Sequence, residues 1–136
     1  MSGDANSSGG TLEASRRTTV EEFARLHAAG DAAGCAALVT DGAVMRSTLV
    51  DGVAEGRDAI QRLLEAGLAR WAERSETVVA VVVDGDSAGI ETTVAGRTTA
   101  GTDAELGVVV ALGLEGDRIA TLRLYADTTP FGGWAA

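Results

Sequence analysis

The stretch TVVAVVVDGDSAGIETTVAGRTTAGTDAELGVVVALGLEGDRIATLRLYAD, residues 77–127, decides the fold. Val, Ile, Thr and Leu dominate it, and clusters of Gly and Asp interrupt it at 84–87, 101–103 and 115–117. That composition and punctuation predict antiparallel strands joined by tight turns. The strands fall at 77–84, 88–97, 104–114 and 118–127, consecutive in a meander.

Working outward, the first half reads as helical. Residues 1–17 are rich in Ser, Gly, Asn and Asp with little to bury, and predict a disordered tail. A helix is expected from Thr18 or Thr19, since Thr18-x-x-Glu21 and Thr19-x-x-Glu22 both have the form of a capping box. Val20, Phe23, Ala24 and His27 make one stripe of it, and Gly30 ends it. Asp31 caps a short second helix over 32–39. Thr40-Asp41-Gly42 turns into a short strand over 43–48, and Asp51-Gly52 marks another turn. A third helix is expected over 57–71, with Ile60, Leu63, Leu64, Gly67, Leu68 and Trp71 as its apolar stripe. Helices gathered on one side of an antiparallel sheet give an α+β architecture. The expected domain is 18–131, followed by a tail at 132–136.

Composition narrows the function classes. The 136 residues include 11 basic and 20 acidic side chains, a net charge of −9. Such a chain repels phosphate backbones and anionic lipid, so neither nucleic acid nor a membrane surface is an expected partner. No apolar run reaches the roughly 20 residues of a membrane span. A single cysteine, Cys35, allows no internal disulfide and suits a cytoplasmic setting. No phosphate loop, dinucleotide fingerprint or His/Cys cluster is present, so neither cofactor nor metal is expected.

Residues 19–131 resemble the nuclear transport factor 2-like superfamily in its SnoaL-like branch. The resemblance rests on Glu22-Phe23 with Ala29-Gly30-Asp31, on Gly56-Arg57-Asp58-Ala59-Ile60 opening the third helix, and on Gly116-Asp117-Arg118-Ile119 leading into Leu124-Tyr125-Ala126-Asp127. It implies a cone: a curved, mainly antiparallel sheet with three N-terminal helices on its concave face, and a homodimer formed sheet to sheet. The family hosts isomerases, epoxide hydrolases, cyclases and binding modules, and fold alone does not choose among them. Where ketosteroid isomerases carry a tyrosine and two aspartates, this chain holds Phe23, Ser47 and Val109. Where limonene epoxide hydrolase carries its last-strand aspartate and tryptophan, it holds Leu124 and Leu122. The familiar catalytic groups are absent.

The remaining polar candidates are few. His27 is the sole histidine and lies on an inward stripe, where imidazole moves protons near neutrality; it also suits the end of a helix as a structural residue. Ser47 is placed to orient a carbonyl or a water. Glu91 becomes a general acid if buried, although the alternation of Ile90, Thr92 and Val94 favours an outward position for it. Cys35 reads as a small core residue. With Leu122 and Leu124 inward, Arg123 and Tyr125 face out, and Leu106, Val108 and Val110 are assigned beside them to the dimer face.

The resulting expectation is an apolar pocket walled by Phe23, Met45, Ser47, Leu64, Trp71, Val109, Leu122 and Leu124, with His27 and Glu91 as proton-transfer groups. It describes a cofactor-independent enzyme on a hydrophobic small molecule, a cyclase or isomerase of polyketide or secondary-metabolite type. A non-catalytic binding or assembly module, and an epoxide-hydrolase-like enzyme, are the alternatives.

Overall fold

The structure is a computed structural model that describes residues 2–127, with side chains from Gly10 onward. Its elements are α1 (Ser2–Ala28), α2 (Ala32–Ala36), β1 (Val39–Ser47), β2 (Val50–Glu55), α3 (Arg57–Leu68), β3 (Trp71–Asp84), β4 (Ser87–Thr98), β5 (Asp103–Glu115) and β6 (Arg118–Ala126). They build one curved six-stranded sheet in the order β2-β1-β6-β5-β4-β3. Every pairing is antiparallel except β1 with β6. The expected α+β architecture holds, with the helices on one face. The expected tail at 132–136 lies outside the described residues.

The C-terminal end of α1 is built as its sequence predicts. Gly30, at φ 75°, leaves the helix; its N–H donates to the His27 carbonyl and that of Asp31 to the Leu26 carbonyl. These two bonds satisfy two of the orphan acceptors at the end of the helix. The N-terminal end differs from expectation, since α1 begins at Ser2. Thr18 is a mid-helix residue whose hydroxyl donates to the Ala14 carbonyl, so neither capping box is used. Tertiary bonds hold this part of the helix: Arg16 donates to the Gly116 carbonyl and Thr19 to that of Asp117, in the β5–β6 turn.

Three junctions, α2 to β1, β1 to β2 and α3 to β3, also differ. α2 ends at Ala36, and β1 begins at Val39. The turn expected at 51–52 is part of β2, because the chain reverses earlier, at 48–49. There the Thr48 hydroxyl accepts from the Ala126 N–H (2.8 Å) and donates to its carbonyl (3.0 Å), fixing the reversal to the end of β6. α3 stops at Leu68, and Trp71 opens β3 instead of closing the helix. β3 therefore gains a charged segment, Trp71 to Glu76, ahead of its valines.

Register decides which strand face is inside. Val110 pairs with Leu124, and Leu112 with Leu122, so all four share a face; Leu106 and Val108 continue it along β5. These side chains are buried with Ile90, Val94 and Ile119 under the helices. The assignment of Leu106, Val108 and Val110 to an outer dimer face is thus corrected: opposite residues on paired strands point the same way. The same alternation sends Val109 outward, 45% exposed, beside Glu91 and Tyr125.

Candidate active site

His27 projects from the last turn of α1 toward β3. Its Nδ1 lies 3.0 and 2.9 Å from the two carboxylate oxygens of Glu76, whose side chain is fully buried. Arg74, two residues earlier on the same strand face, forms an ion pair with Glu76. Its guanidinium also donates to the carbonyls of His27 (3.0 Å) and Ala28 (3.4 Å). The Phe23 ring stacks on the imidazole, with centroids 5.9 Å apart. One turn of helix and one strand thus enclose an imidazole, a carboxylate and a guanidinium.

Burial opposes ionisation of Glu76. The hydrogen bond and charge of His27 act the other way, with smaller help from the Thr92 hydroxyl and the Arg74 charge, and together hold the carboxyl below the usual 4.5. The Thr92 hydroxyl is close enough to favour the carboxylate but makes no hydrogen bond of ordinary geometry. An ionised carboxylate only accepts, so the proton of a neutral His27 sits on Nδ1 and the lone pair on Nε2. Among the described residues Nε2 has no hydrogen-bond partner.

The cavity beside His27 has a volume of about 50 Å³. Met45, Leu64, Val94, Leu106, Val108 and Leu124 form its apolar wall, and Leu49, Val50, Gly67 and Trp71 stand at its partly exposed rim. Ser47 also lines it. The Ser47 Oγ accepts from the Leu49 N–H at 3.0 Å, which leaves its own proton to donate. A neighbouring void of about 10 Å³ touches His27, Asp31 and Cys35. Burial pushes the Cys35 thiol up to about 12, so it is an unreactive core group. Among the described residues no cluster of His, Cys, Asp and Glu has the form of a metal site.

Of the expected wall, Met45, Ser47, Leu64, Trp71 and Leu124 line the cavity. Phe23 and Leu122 are buried in the core behind it, and Phe23 acts through its stack on His27. Val109 is on the opposite face and lines nothing, so its comparison with an isomerase aspartate fails on orientation. Glu91, the second expected catalytic residue, is exposed outside, opposite Ala80 and Val109, and cannot reach the cavity. Arg123 and Tyr125 do face outward. The sequence reading missed Arg74 and Glu76. The available signal was their i, i+2 spacing at the head of a valine-rich strand, which puts both on one face.

The profile of the SnoaL-like domain family matches residues 20–122, and the chain belongs to that family. Among solved structures it is similar to a nuclear transport factor 2-like protein of unknown function from Burkholderia pseudomallei. That match has a TM-score of 0.76 and 18% identity, covering 90% of this chain and 98% of the other. It is also similar to a putative SnoaL-like polyketide cyclase from Jannaschia, with a TM-score of 0.75 and 17% identity over 92% and 94% of the two chains. A third similar structure is SalBIII, an epoxide hydrolase/cyclase-like enzyme of pyran ring formation in salinomycin, at 0.69 and 19% over 85% and 92%. At these identities the likeness is one of fold. No protein of curated function matches in sequence. No helix among the described residues is long and apolar enough to cross a membrane.

Proposed function

We propose that this chain is a cofactor-independent acid–base enzyme, a cyclase or isomerase acting on a small hydrophobic metabolite of polyketide type in the cytoplasm. The observation that carries the reading is the His27–Glu76 pair at the edge of an apolar cavity. A buried carboxylate fixes the tautomer and orientation of the imidazole and stabilises the imidazolium when it forms. His27 Nε2 takes a proton from the carbon next to a substrate carbonyl. Ser47 donates a hydrogen bond to the carbonyl oxygen as it becomes an enolate. The proton then returns from His27 to a different carbon in an isomerisation, or to the new alkoxide after carbon–carbon ring closure. Glu91 takes no part.

The same contacts favour a second reading, a binding or assembly module without chemistry. Arg74 and Glu76 also fasten the end of α1 to β3, a structural task in itself. The hydrolase alternative is weakened by the apolar inward positions of β6, Leu122 and Leu124. Two copies pair through the convex face, where Val109 and Tyr125 are exposed beside Arg123, while Leu106, Val108 and Val110 belong to the interior.

The test is solvent-deuterium exchange into cyclopentanone and a β,γ-unsaturated cyclohexenone, followed by NMR. Wild type is expected to catalyse exchange, His27→Ala to abolish it, and Glu76→Gln to weaken it. Exchange by wild type no faster than by His27→Ala, across a panel of small ketones, refutes the chemistry and leaves the binding module.

A further inference from the structure

α3 presents Leu63, Leu64, Gly67 and Leu68 to the cavity. Three of these fill space and one does not. Gly67 is not among the glycines with positive φ, so no turn or cap requires it. A Cβ added to it would meet no atom within 4 Å, so no close approach requires it either. Glycine inside a helix is less favourable than alanine. Other glycines near helix ends have local reasons: at Gly34 a Cβ would come within 2.6 Å of the Asp31 carboxylate, and Gly56 caps α3 at φ 88°.

Gly67 is partly exposed and borders the cavity together with Leu49, Val50 and Trp71. The cavity, at about 50 Å³, is near a third of the roughly 150 Å³ that holds benzene in an engineered apolar cavity. A compact ring therefore enters only in part, its carbonyl edge inside, and the rest of the ring with any tail must pass out through the rim. The lining is apolar apart from His27, Ser47 and an Arg74 already paired with Glu76.

We propose that Gly67 is the size-determining position of this pocket: its missing side chain is the passage for the tail of a neutral ligand whose small apolar head sits beside His27. The ligand class is a compact cyclic or branched carbonyl compound bearing an extended apolar chain. This rests on the cavity being a ligand site, not on His27 moving a proton.

The test compares cyclopentanone with a cyclopentanone bearing an n-pentyl tail, by titration calorimetry on the full chain. Wild type is expected to bind the tailed ketone more tightly. Gly67→Leu should weaken the tailed ketone about tenfold or more and leave the bare ring within about twofold. Gly67→Ala should melt a few degrees higher than wild type and weaken the tailed ketone less, which keeps the test valid if the leucine variant folds poorly. Three results overturn the proposal: equal affinities for the tailed ketone in all three proteins, parallel loss of both ketones in Gly67→Leu, or no binding of either ketone by wild type. Deuterium exchange into the same two ketones, run in parallel on wild type, reads the chemistry separately from the binding. A preserved size effect without any exchange chemistry would refute the enzymatic reading and leave the passage standing.

Discussion

Replacing Glu76 with Gln keeps the shape of the side chain and removes its charge. The carboxylate is fully buried and bonded to both His27 and Arg74, whose side chains are only 14% and 13% exposed. Hydrogen bonds to charged groups contribute about 1.5–3 kcal/mol each, and removing one partner of a buried ion pair costs about 3–5 kcal/mol. Gln retains some hydrogen bonding, and Arg74 keeps its two carbonyl partners, so the expected loss is about 2–3 kcal/mol. For a chain of this size that lowers Tm by about 10 °C.

The pH dependence is the sharper part of this prediction. The pKa of Glu76 is lower folded than its ordinary 4.5. The stabilisation from ionisation is therefore complete above 4.5 and lost as pH falls through the lower, folded value. Wild type and Glu76→Gln should differ fully near neutrality and converge in acid. Urea titrations of both proteins, from neutrality down through the carboxylate range, measure this directly. Equal stability near neutrality, or a gap that does not close in acid, refutes the assigned role of the buried carboxylate.

Three further outcomes are expected. Gly96→Ala would place a Cβ 2.0 Å from the Glu73 carbonyl oxygen and push β3 away just where Arg74 leaves it; a loss of about 2–3 kcal/mol in urea is expected, whereas Gly89→Ala, with open space, should stay within about 0.5 kcal/mol. Glu91→Gln, on the convex face, should change neither deuterium exchange nor stability by more than about 0.5 kcal/mol, and a marked loss of exchange would return Glu91 to the site. Val109→Asp should shift sedimentation from dimer to monomer while leaving the fold intact by circular dichroism; a monomeric wild type would refute the sheet-to-sheet pairing.

Much of the architecture is local in origin. Alternating Val, Ile, Thr and Leu between Gly/Asp turns specified β4, β5 and β6 nearly to the residue, and Gly30 specified the end of α1. The readings that failed depended on partners remote in sequence. Residues 2–17 look unfit for a helix by composition, yet α1 extends through them and Arg16 and Thr19 bond to a turn almost a hundred residues away. β2 was hidden by the Asp51-Gly52 pair, because the Thr48–Ala126 bonds had already placed the reversal upstream.

The candidate site was legible only in half. His27, Met45, Ser47, Leu64, Trp71 and Leu124 were recoverable from stripe and spacing. In β5, Leu106, Val108, Val110, Leu112 and Leu114 form a wholly apolar set, while the alternate positions include Glu105, Gly107 and Gly113. Alternation therefore favours the first set as the interior, but the comparison of Val109 with an isomerase aspartate pointed the other way. The register with Leu122 and Leu124 resolved that, burying Leu106, Val108 and Val110 and exposing Val109.

Local sequence encodes the extents of β4, β5 and β6 and the end of α1, because propensity, alternation and glycine conformation act over a few residues. Tertiary structure alone decided that His27 meets a carboxylate 49 residues further on. It decided, too, that Glu91 has no access to the cavity. A buried ion pair and the inner face of a curved sheet exist only after the chain has closed on itself, and no local pattern encodes which distant groups then share the space.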